Sequence, residues 1–295
     1  MDDTTQRVWL NGEIVAAVEA QVSALDAALL HGVGLFETLR AYHGRVFRLR
    51  AHLERMRRSA EALKFPLPDD VYAQCEASLP AVLAANGLTD ARLRLTVTGG
   101  TTLQPGEPAD APRPTVLATA TAVAAYPREY YEKGMTVLIS PYRQSRSNPL
   151  AGHKTTCYWP RLMALREAHA AQCGEALWFT DKNLLAEGCV SNVFVVRDGA
   201  LKTPPLDTPV LRGTVRDVVL EVAAAAGRSV QELPLTVNDL LDADEVFLTN
   251  SVMEVMPVCR VERKPIRDEK PGEITQWAAA AYQQVVAAEC GPEAA

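Results

Sequence analysis

The sequence predicts two mixed α/β domains, the first over residues 1–122 and the second over residues 134–295, with residues 123–133 as the connector. Three observations carry that expectation. The chain has 295 residues, beyond the usual size of one hydrophobic core. Segments with the two-residue period of strands and segments with the period of helices occur in both halves, without strict alternation and without an internal repeat. Near Ala122–Lys133 an apolar strand gives way to PREYYEKG, the composition shift expected at a domain boundary.

Asn11-Gly12 lies between Val8-Trp9-Leu10 and Ile14-Val15, and both residues tolerate positive φ, so a two-residue hairpin is expected. A second is expected at His43-Gly44. Leu49, Leu53, Met56, Ala60 and Leu63 then recur at helical spacing, leaving His52, Arg55, Arg57 and Arg58 on other faces. Leu93, Leu95 and Val97 alternate with Arg92, Arg94, Thr96 and Thr98, as in a half-buried strand that ends at Gly99-Gly100. Residues 101–114 are rich in Pro, Gly and Thr and read as a surface loop, after which residues 115–121 return as a strand. In the second half residues 135–140 begin a strand, residues 161–171 are helical, residues 176–180 form a strand, and Asp181-Lys182-Asn183 is a turn. Residues 193–196 and 200–203 flank a turn at Asp198-Gly199. Val215, Val218, Val219 and Val222 give residues 214–226 a helical period that Gly227 stops. Residues 245–248 form a short apolar strand that runs into Thr249-Asn250-Ser251.

A hydrophobic fraction of 48% and a charged fraction of 22% are those of an ordinary soluble globular protein. The formal net charge of −6 leaves no extended basic surface for nucleic acid, so a phosphate-bearing ligand has to be held locally. No apolar run approaches the roughly 18 residues of a membrane span, and the acidic opening MDDTTQRVWLNG lacks the apolar core of a secretion signal. A cytoplasmic protein that binds neither membrane nor nucleic acid is expected. Cys75, Cys157, Cys173, Cys189, Cys259 and Cys290 are scattered without a C-x-x-C pair, which favours reduced thiols over a zinc site or a disulfide scaffold. None of the five histidines forms a metal-ligand pattern with an acidic partner, so no metal is expected.

Chemistry enters at NPLAGHKTTCYWPRL. Lys154 follows a loop containing Pro and Gly and precedes the first periodic residues of a helix, a position open to a solvated lysine and to a reactive one. Its company favours reactivity. Glu187 stands within LLAEGCVSNVFVV, an apolar setting for a carboxylate. Gly213-Thr214-Val215 opens a helix, where backbone N–H groups and the helix dipole can receive a phosphate. FLTNSVMEVMPV ends a strand with two hydroxyls and an amide. Lysine, carboxylate, helix start and hydroxyl turn together suit pyridoxal 5'-phosphate, which needs an amine for its aldehyde, a carboxylate for its ring nitrogen and a cup of donors for its phosphate. HGVGLFETL is not a dinucleotide fingerprint, because Glu37 stands where a third glycine would be.

With these segments in this order, the chain resembles the class IV aminotransferases, the fold-type IV pyridoxal-phosphate enzymes that include branched-chain aminotransferases, D-amino acid aminotransferases and aminodeoxychorismate lyases. The resemblance runs from VWLNGEIV through HGVGLFETLR, FRLRAHLERM, GHKTTCY, LAEGCVSNVF, LKTPPL and LRGTVRD to DEVFLTNSVMEVMPV. It implies a small N-terminal α/β domain, a larger C-terminal α/β pseudo-barrel domain, and a homodimer whose active site lies between the domains and is closed by a loop from the other subunit. It further implies that Lys154 is the Schiff-base lysine, that Glu187 pairs with the pyridinium nitrogen, and that Arg55 binds phosphate together with the helix start at Thr214 and Val215 and with Ser251. Periodicity alone would make Arg55 a solvated helix charge. Val215 lacks the hydroxyl that threonine supplies in related GITR-type segments. Asn192 reads either as a support for the strand near the cofactor or as a turn residue, Tyr158 as a neighbour of the cofactor or a packing residue, and His31 as a pocket-lining or a core residue.

The resemblance leaves the reaction to a few positions. Branched-chain members read FEG where this chain has Phe36-Glu37-Thr38, so Thr38 alters the floor of an aliphatic pocket. The D-amino acid enzymes carry a T-R-G arginine that Thr98-Gly99-Gly100 lacks. FETLR with TNSVMEVMPV looks most like the aminodeoxychorismate lyases, in which reading Arg40 and Arg94 would meet substrate carboxylates; strand alternation alone leaves Arg94 equally a surface charge. The leading expectation is therefore a 4-amino-4-deoxychorismate lyase that releases pyruvate and 4-aminobenzoate. The alternative is an aminotransferase that moves the amino group of a branched-chain L-amino acid or a D-amino acid to a 2-oxo acid. A non-catalytic pyridoxal-phosphate carrier would require the loss of Lys154 or Glu187, and both are present.

Overall fold

The computed structural model describes residues 5–101 and 114–291. The expected loop at 101–114 falls almost wholly outside them. The chain divides into two compact units, one of which takes the residues up to Ala124 together with Lys154–Cys157 and the residues from Val286 on, while the other takes Ala125–His153 and Tyr158–Val285.

The first unit contains β1 (Arg7–Leu10), β2 (Glu13–Ala16), α1 (Ala27–His31), β3 (Gly34–Tyr42), β4 (Arg45–Val46), α2 (Leu49–Ala62), α3 (Asp69–Ala85), β5 (Ala91–Thr98) and β6 (Val116–Ala122). Its six strands form an antiparallel sheet in the order β2-β1-β6-β5-β3-β4. Both expected hairpin turns are present, with positive φ at Asn11, Gly12, His43 and Gly44. Leu35 and Leu39 of β3 and Leu93 and Leu95 of β5 point to one side of the sheet and pack with Leu53 and Met56 of α2 and Leu79 and Val82 of α3. Strand alternation puts Phe36, Thr38 and Arg40 on the other side, with Thr38 directly opposite Arg94 in the register.

α2 departs from the sequence reading in an informative way. Arg57 and Arg58 are exposed, but His52 and Arg55 are 1% and 7% exposed. The buried stripe of α2 is wider than its apolar residues, because a buried carboxylate on β3 meets the two polar side chains.

The second unit contains α4 (Arg128–Lys133), β7 (Met135–Gln144), α5 (Trp159–Ala170), β8 (Glu175–Thr180), β9 (Leu185–Gly188), β10 (Asn192–Arg197), β11 (Ala200–Thr203), α6 (Thr214–Ala225), β12 (Val230–Glu232), α7 (Val237–Leu241), β13 (Glu245–Asn250), β14 (Glu254–Val261) and β15 (Lys264–Pro265). α8 (Glu273–Cys290) begins in it. One mixed sheet runs β12-β11-β10-β13-β14-β7-β8-β9, with β15 on β14. The pairs β11/β12, β14/β7 and β7/β8 are parallel and the remainder antiparallel. Every residue of β8 and β9 is buried, as expected of strands covered on both faces. The connector expected at 123–133 holds a helix, α4, laced by the i,i+4 pairs Arg128–Glu132 and Glu129–Lys133. Glu245 caps the start of α8, accepting from the N–H groups of Ile274 and Thr275. No helix among the described residues is long and apolar enough to cross a membrane.

Candidate active site

In the first unit the lysine is held by its backbone. Lys154–Thr156 pairs with the start of β3, where Phe36 N–H donates to the Lys154 carbonyl at 2.9 Å and Thr156 N–H to that of Gly34 at 2.9 Å. Gly32 ends α1 at φ +70°, and a Cβ there would lie 2.7 Å from Cys157 Sγ, so HGVG is the seat of the segment that carries Lys154. The Lys154 Nζ lies 4.6 Å from the centre of the Phe36 ring, and the Arg94 guanidinium lies 3.5 Å from the same centre. The next residue on β3, Glu37, is 1% exposed and accepts from Arg55 through Nε at 2.9 Å and through Nη2, and from His52 Nδ1 at 2.8 Å. Burial alone would raise the Glu37 carboxyl, but the Arg55 charge and the bonds from His52 and Arg55 outweigh it and hold it down at about 2. Burial lowers His52 despite the carboxylate, which favours its neutral form.

In the second unit Glu187 is 3% exposed. Its Oε1 accepts from Arg161 Nη2 at 2.5 Å, and its Oε2 from the Leu211 N–H at 2.8 Å. The Leu211 carbonyl in turn accepts from Asn192 Nδ2 at 2.8 Å. A Cβ on Gly213, the N-cap of α6, would collide with Asn192 Oδ1, so only glycine lets this amide reach the helix start. Asn192 is the register partner of Thr249, which puts both side chains on one face of the sheet. The Thr249 hydroxyl is buried with no hydrogen-bond partner among the described residues. Asn250 Oδ1 accepts from the N–H groups of Val252 and Met253, both at 2.8 Å, shaping the turn that holds Ser251. An acceptor carboxylate, a helix start whose first N–H groups have no intrahelical acceptor and a buried hydroxyl left over form a set of acceptor and donor groups that fits a phosphorylated, ring-nitrogen-bearing ligand.

The remaining candidates are placed as follows. Tyr158 is half-buried and its hydroxyl donates to the Cys189 carbonyl at 2.5 Å, while burial pushes the phenol above its ordinary range. Arg40 is committed elsewhere, bonded to Asp90 through Nε at 3.0 Å and Nη2 at 3.2 Å. His31 ends α1 and is exposed, which excludes a place in the core. Thr38 and Arg94, both half-buried, face one another on the side of the first sheet away from α2 and α3. Sequence reasoning missed Arg161, Gln144 and the Glu37–His52 pair. Arg161 had a signal, since it stands three residues after Tyr158 at a helix start and therefore on the same face. Glu37 had none beyond being a carboxylate in an apolar strand.

The description "Amino-transferase class IV" fits a family model that matches residues 34–261. The chain belongs to the class IV aminotransferases. Its mixed α/β architecture is that of the fold-type IV enzymes, and the T.th. branched-chain amino acid aminotransferase, solved with pyridoxamine 5'-phosphate, superposes with a TM-score of 0.88 at 29% identity, covering 97% of this chain and 95% of that one. A relative from Methanocaldococcus jannaschii, named "Putative branched-chain-amino-acid aminotransferase", is 35% identical over 92% of this chain and 93% of its own. The aminodeoxychorismate lyase of Bacillus subtilis is 30% identical over 86% of each chain. Class IV aminotransferases are pyridoxal-phosphate enzymes, and the set of acceptor and donor groups described above suits that cofactor.

Proposed function

We propose that the chain is a pyridoxal-phosphate-dependent aminotransferase that moves the amino group of an aliphatic, branched-chain-type amino acid to a 2-oxo acid. The lyase expectation gives way to the alternative on one observation. Arg40, the guanidinium assigned to a second substrate carboxylate, is already clamped by Asp90. The higher identity to a branched-chain aminotransferase than to a lyase supports the same choice.

When bound, the cofactor supplies an aldehyde that condenses with amines and a ring that accepts electrons. The N–H groups at Thr214 and Val215 and the Ser251 hydroxyl would bind its phosphate, while Arg55, like Arg40, is held by a carboxylate, that of Glu37. Glu187 accepts the hydrogen bond of its ring nitrogen, and Asn192 keeps Leu211 in place as a second donor to that carboxylate. Lys154 Nζ would be the amine that holds the cofactor aldehyde, and the same nitrogen would move a proton at the substrate α-carbon. Thr38 and Arg94 face the substrate, with Arg94 the candidate for its carboxylate. Tyr158, tied to the Cys189 carbonyl, supports the strand end that carries Glu187. Two copies form the working unit, a reading supported by the run of exposed Val18, Val22, Leu25, Leu29, Leu30 and Val33 in the first unit, with Leu29 at 70% exposure.

Adding leucine or valine alone to the purified protein tests the assignment. Conversion of the cofactor to pyridoxamine phosphate, followed by its reversal on adding a 2-oxo acid, is expected. Release of 4-aminobenzoate from aminodeoxychorismate without any amino acceptor would return the reading to the lyase. Lys154→Ala is expected to lose the visible absorbance of the lysine-bound cofactor, and survival of that band would remove Lys154 from its role.

A further inference from the structure

Arg161 enters the Glu187 site from α5, and every one of its contacts has a direction. Its Nη2 donates to Glu187 Oε1 and to Gln144 Oε1 at 2.9 Å, and its Nη1 donates to the Gly188 carbonyl at 2.7 Å. Gln144 presents its oxygen because its Nε2 is used by the Pro209 carbonyl. The guanidinium lies 5.3 Å from the centre of the Trp178 ring. The Leu211 N–H occupies the other carboxylate oxygen at 2.8 Å. Both oxygens of Glu187 therefore face groups that can only donate, since neither a guanidinium nor a backbone N–H accepts.

A ligand nitrogen that docks on such a carboxylate has two ways to share one proton. Either the nitrogen carries it and the carboxylate accepts, or the carboxyl carries it and the nitrogen accepts. The first arrangement places a negative charge on Glu187 and a positive charge beyond it. A guanidinium at hydrogen-bond distance from the carboxylate is closer to the negative charge than to the positive one, so it favours this arrangement over the neutral alternative. We infer that Arg161 is a positioning residue that keeps the ring nitrogen of the cofactor protonated by holding Glu187 as a hydrogen-bond acceptor. The inference rests on the cofactor assignment proposed above and deepens it.

The test reads the nitrogen directly. Full-length protein is loaded with pyridoxal phosphate labelled with 15N in the ring, and the nitrogen resonance is recorded without substrate. Wild type is expected at the protonated-pyridine position. In Arg161→Gln and Arg161→Met the ratio of protonated to unprotonated nitrogen is expected to fall about tenfold or more, the loss of one charge-assisted hydrogen bond. Arg161→Lys, which retains the charge, is expected to return most of the way to wild type. A neutral variant whose resonance matches wild type overturns the inference, as does a wild-type nitrogen that is unprotonated. Should neither neutral variant fold, the wild-type spectrum still decides in that second way. Failure of wild type to bind the cofactor at all is a different result, which overturns the cofactor assignment itself.

Discussion

Replacing Glu37 with glutamine keeps the shape of a buried side chain and removes its charge. In the wild-type chain the carboxylate is 1% exposed and bonded to Arg55 and His52. Burial pushes it up, and the Arg55 charge with the two sets of hydrogen bonds more than reverses that, holding it at about 2 against an ordinary 4.5. The difference corresponds to roughly 3 kcal/mol of stability in the ionised form. Because the folded value lies below the unfolded one, this contribution is complete above about pH 4.5 and is lost as the pH falls toward about 2. His52 behaves separately. Its value is lowered by burial, so its contribution is present above its ordinary 6.5 and is lost as the pH falls below that. In Glu37→Gln the Arg55 guanidinium stays buried without its counter-charge, and the expected loss at neutral pH is about 3–5 kcal/mol. A chain of two compact units does not license a two-state treatment, so hydrogen exchange of the β3 and α2 amides in a urea series is the suitable assay, repeated from pH 7 down to pH 3. The variant should be less stable at pH 7 and lose less on acidification than wild type. A loss below about 1 kcal/mol at neutral pH, or an acid limb that superimposes on the wild-type limb, would refute the reasoning.

Other substitutions probe the second unit and the surface. Glu187→Gln should retain cofactor but lower turnover by about 100-fold or more, and wild-type turnover would sink the assignment. Gly213→Ala drives a methyl group into the Asn192 amide, so it should cost about 1–3 kcal/mol in chemical denaturation and weaken cofactor binding measured by titration. Glu175 is fully buried and accepts from the N–H groups of Cys189 and Val190 and from the Ser191 hydroxyl, so Glu175→Ala should destabilise by roughly 3 kcal/mol and loosen the turn after Glu187, visible as faster amide exchange there. Arg40→Ala removes only a partly exposed pair with Asp90, and a stability change within about 1 kcal/mol with an unaltered KM is expected. A large rise in KM would restore Arg40 to the substrate site.

How much of this was legible in advance depended on whether the signal was local. The Asn11-Gly12, His43-Gly44 and Asp198-Gly199 turns were readable because positive φ is demanded by two adjacent residues. The strand over β5 and the helix over α6 were readable because their apolar periods are clean. α3 and α8 were not. Pro80 interrupts the first, and the second repeats its buried Ala278, Tyr282, Val286 and Cys290 within an alanine-rich background that blurs the period. Arg94 shows the same limit, since alternation put it on the face of β5 away from the apolar core but could not tell solvent from the Phe36 ring.

By itself the sequence determined the family and the class of chemistry, and it singled out a lysine, a carboxylate and a helix start as the candidates, because each is a residue type in a motif short enough to read along the chain. Only the tertiary structure decided what those residues touch. Glu37 lies 18 residues from Arg55, and Glu187 lies 26 residues from Arg161. Whether a charge is solvated, buried against an opposite charge or committed to a surface partner depends on strands and helices brought together from distant positions. No periodicity carries that information, because the cost of burying a charge is set by its neighbours in space.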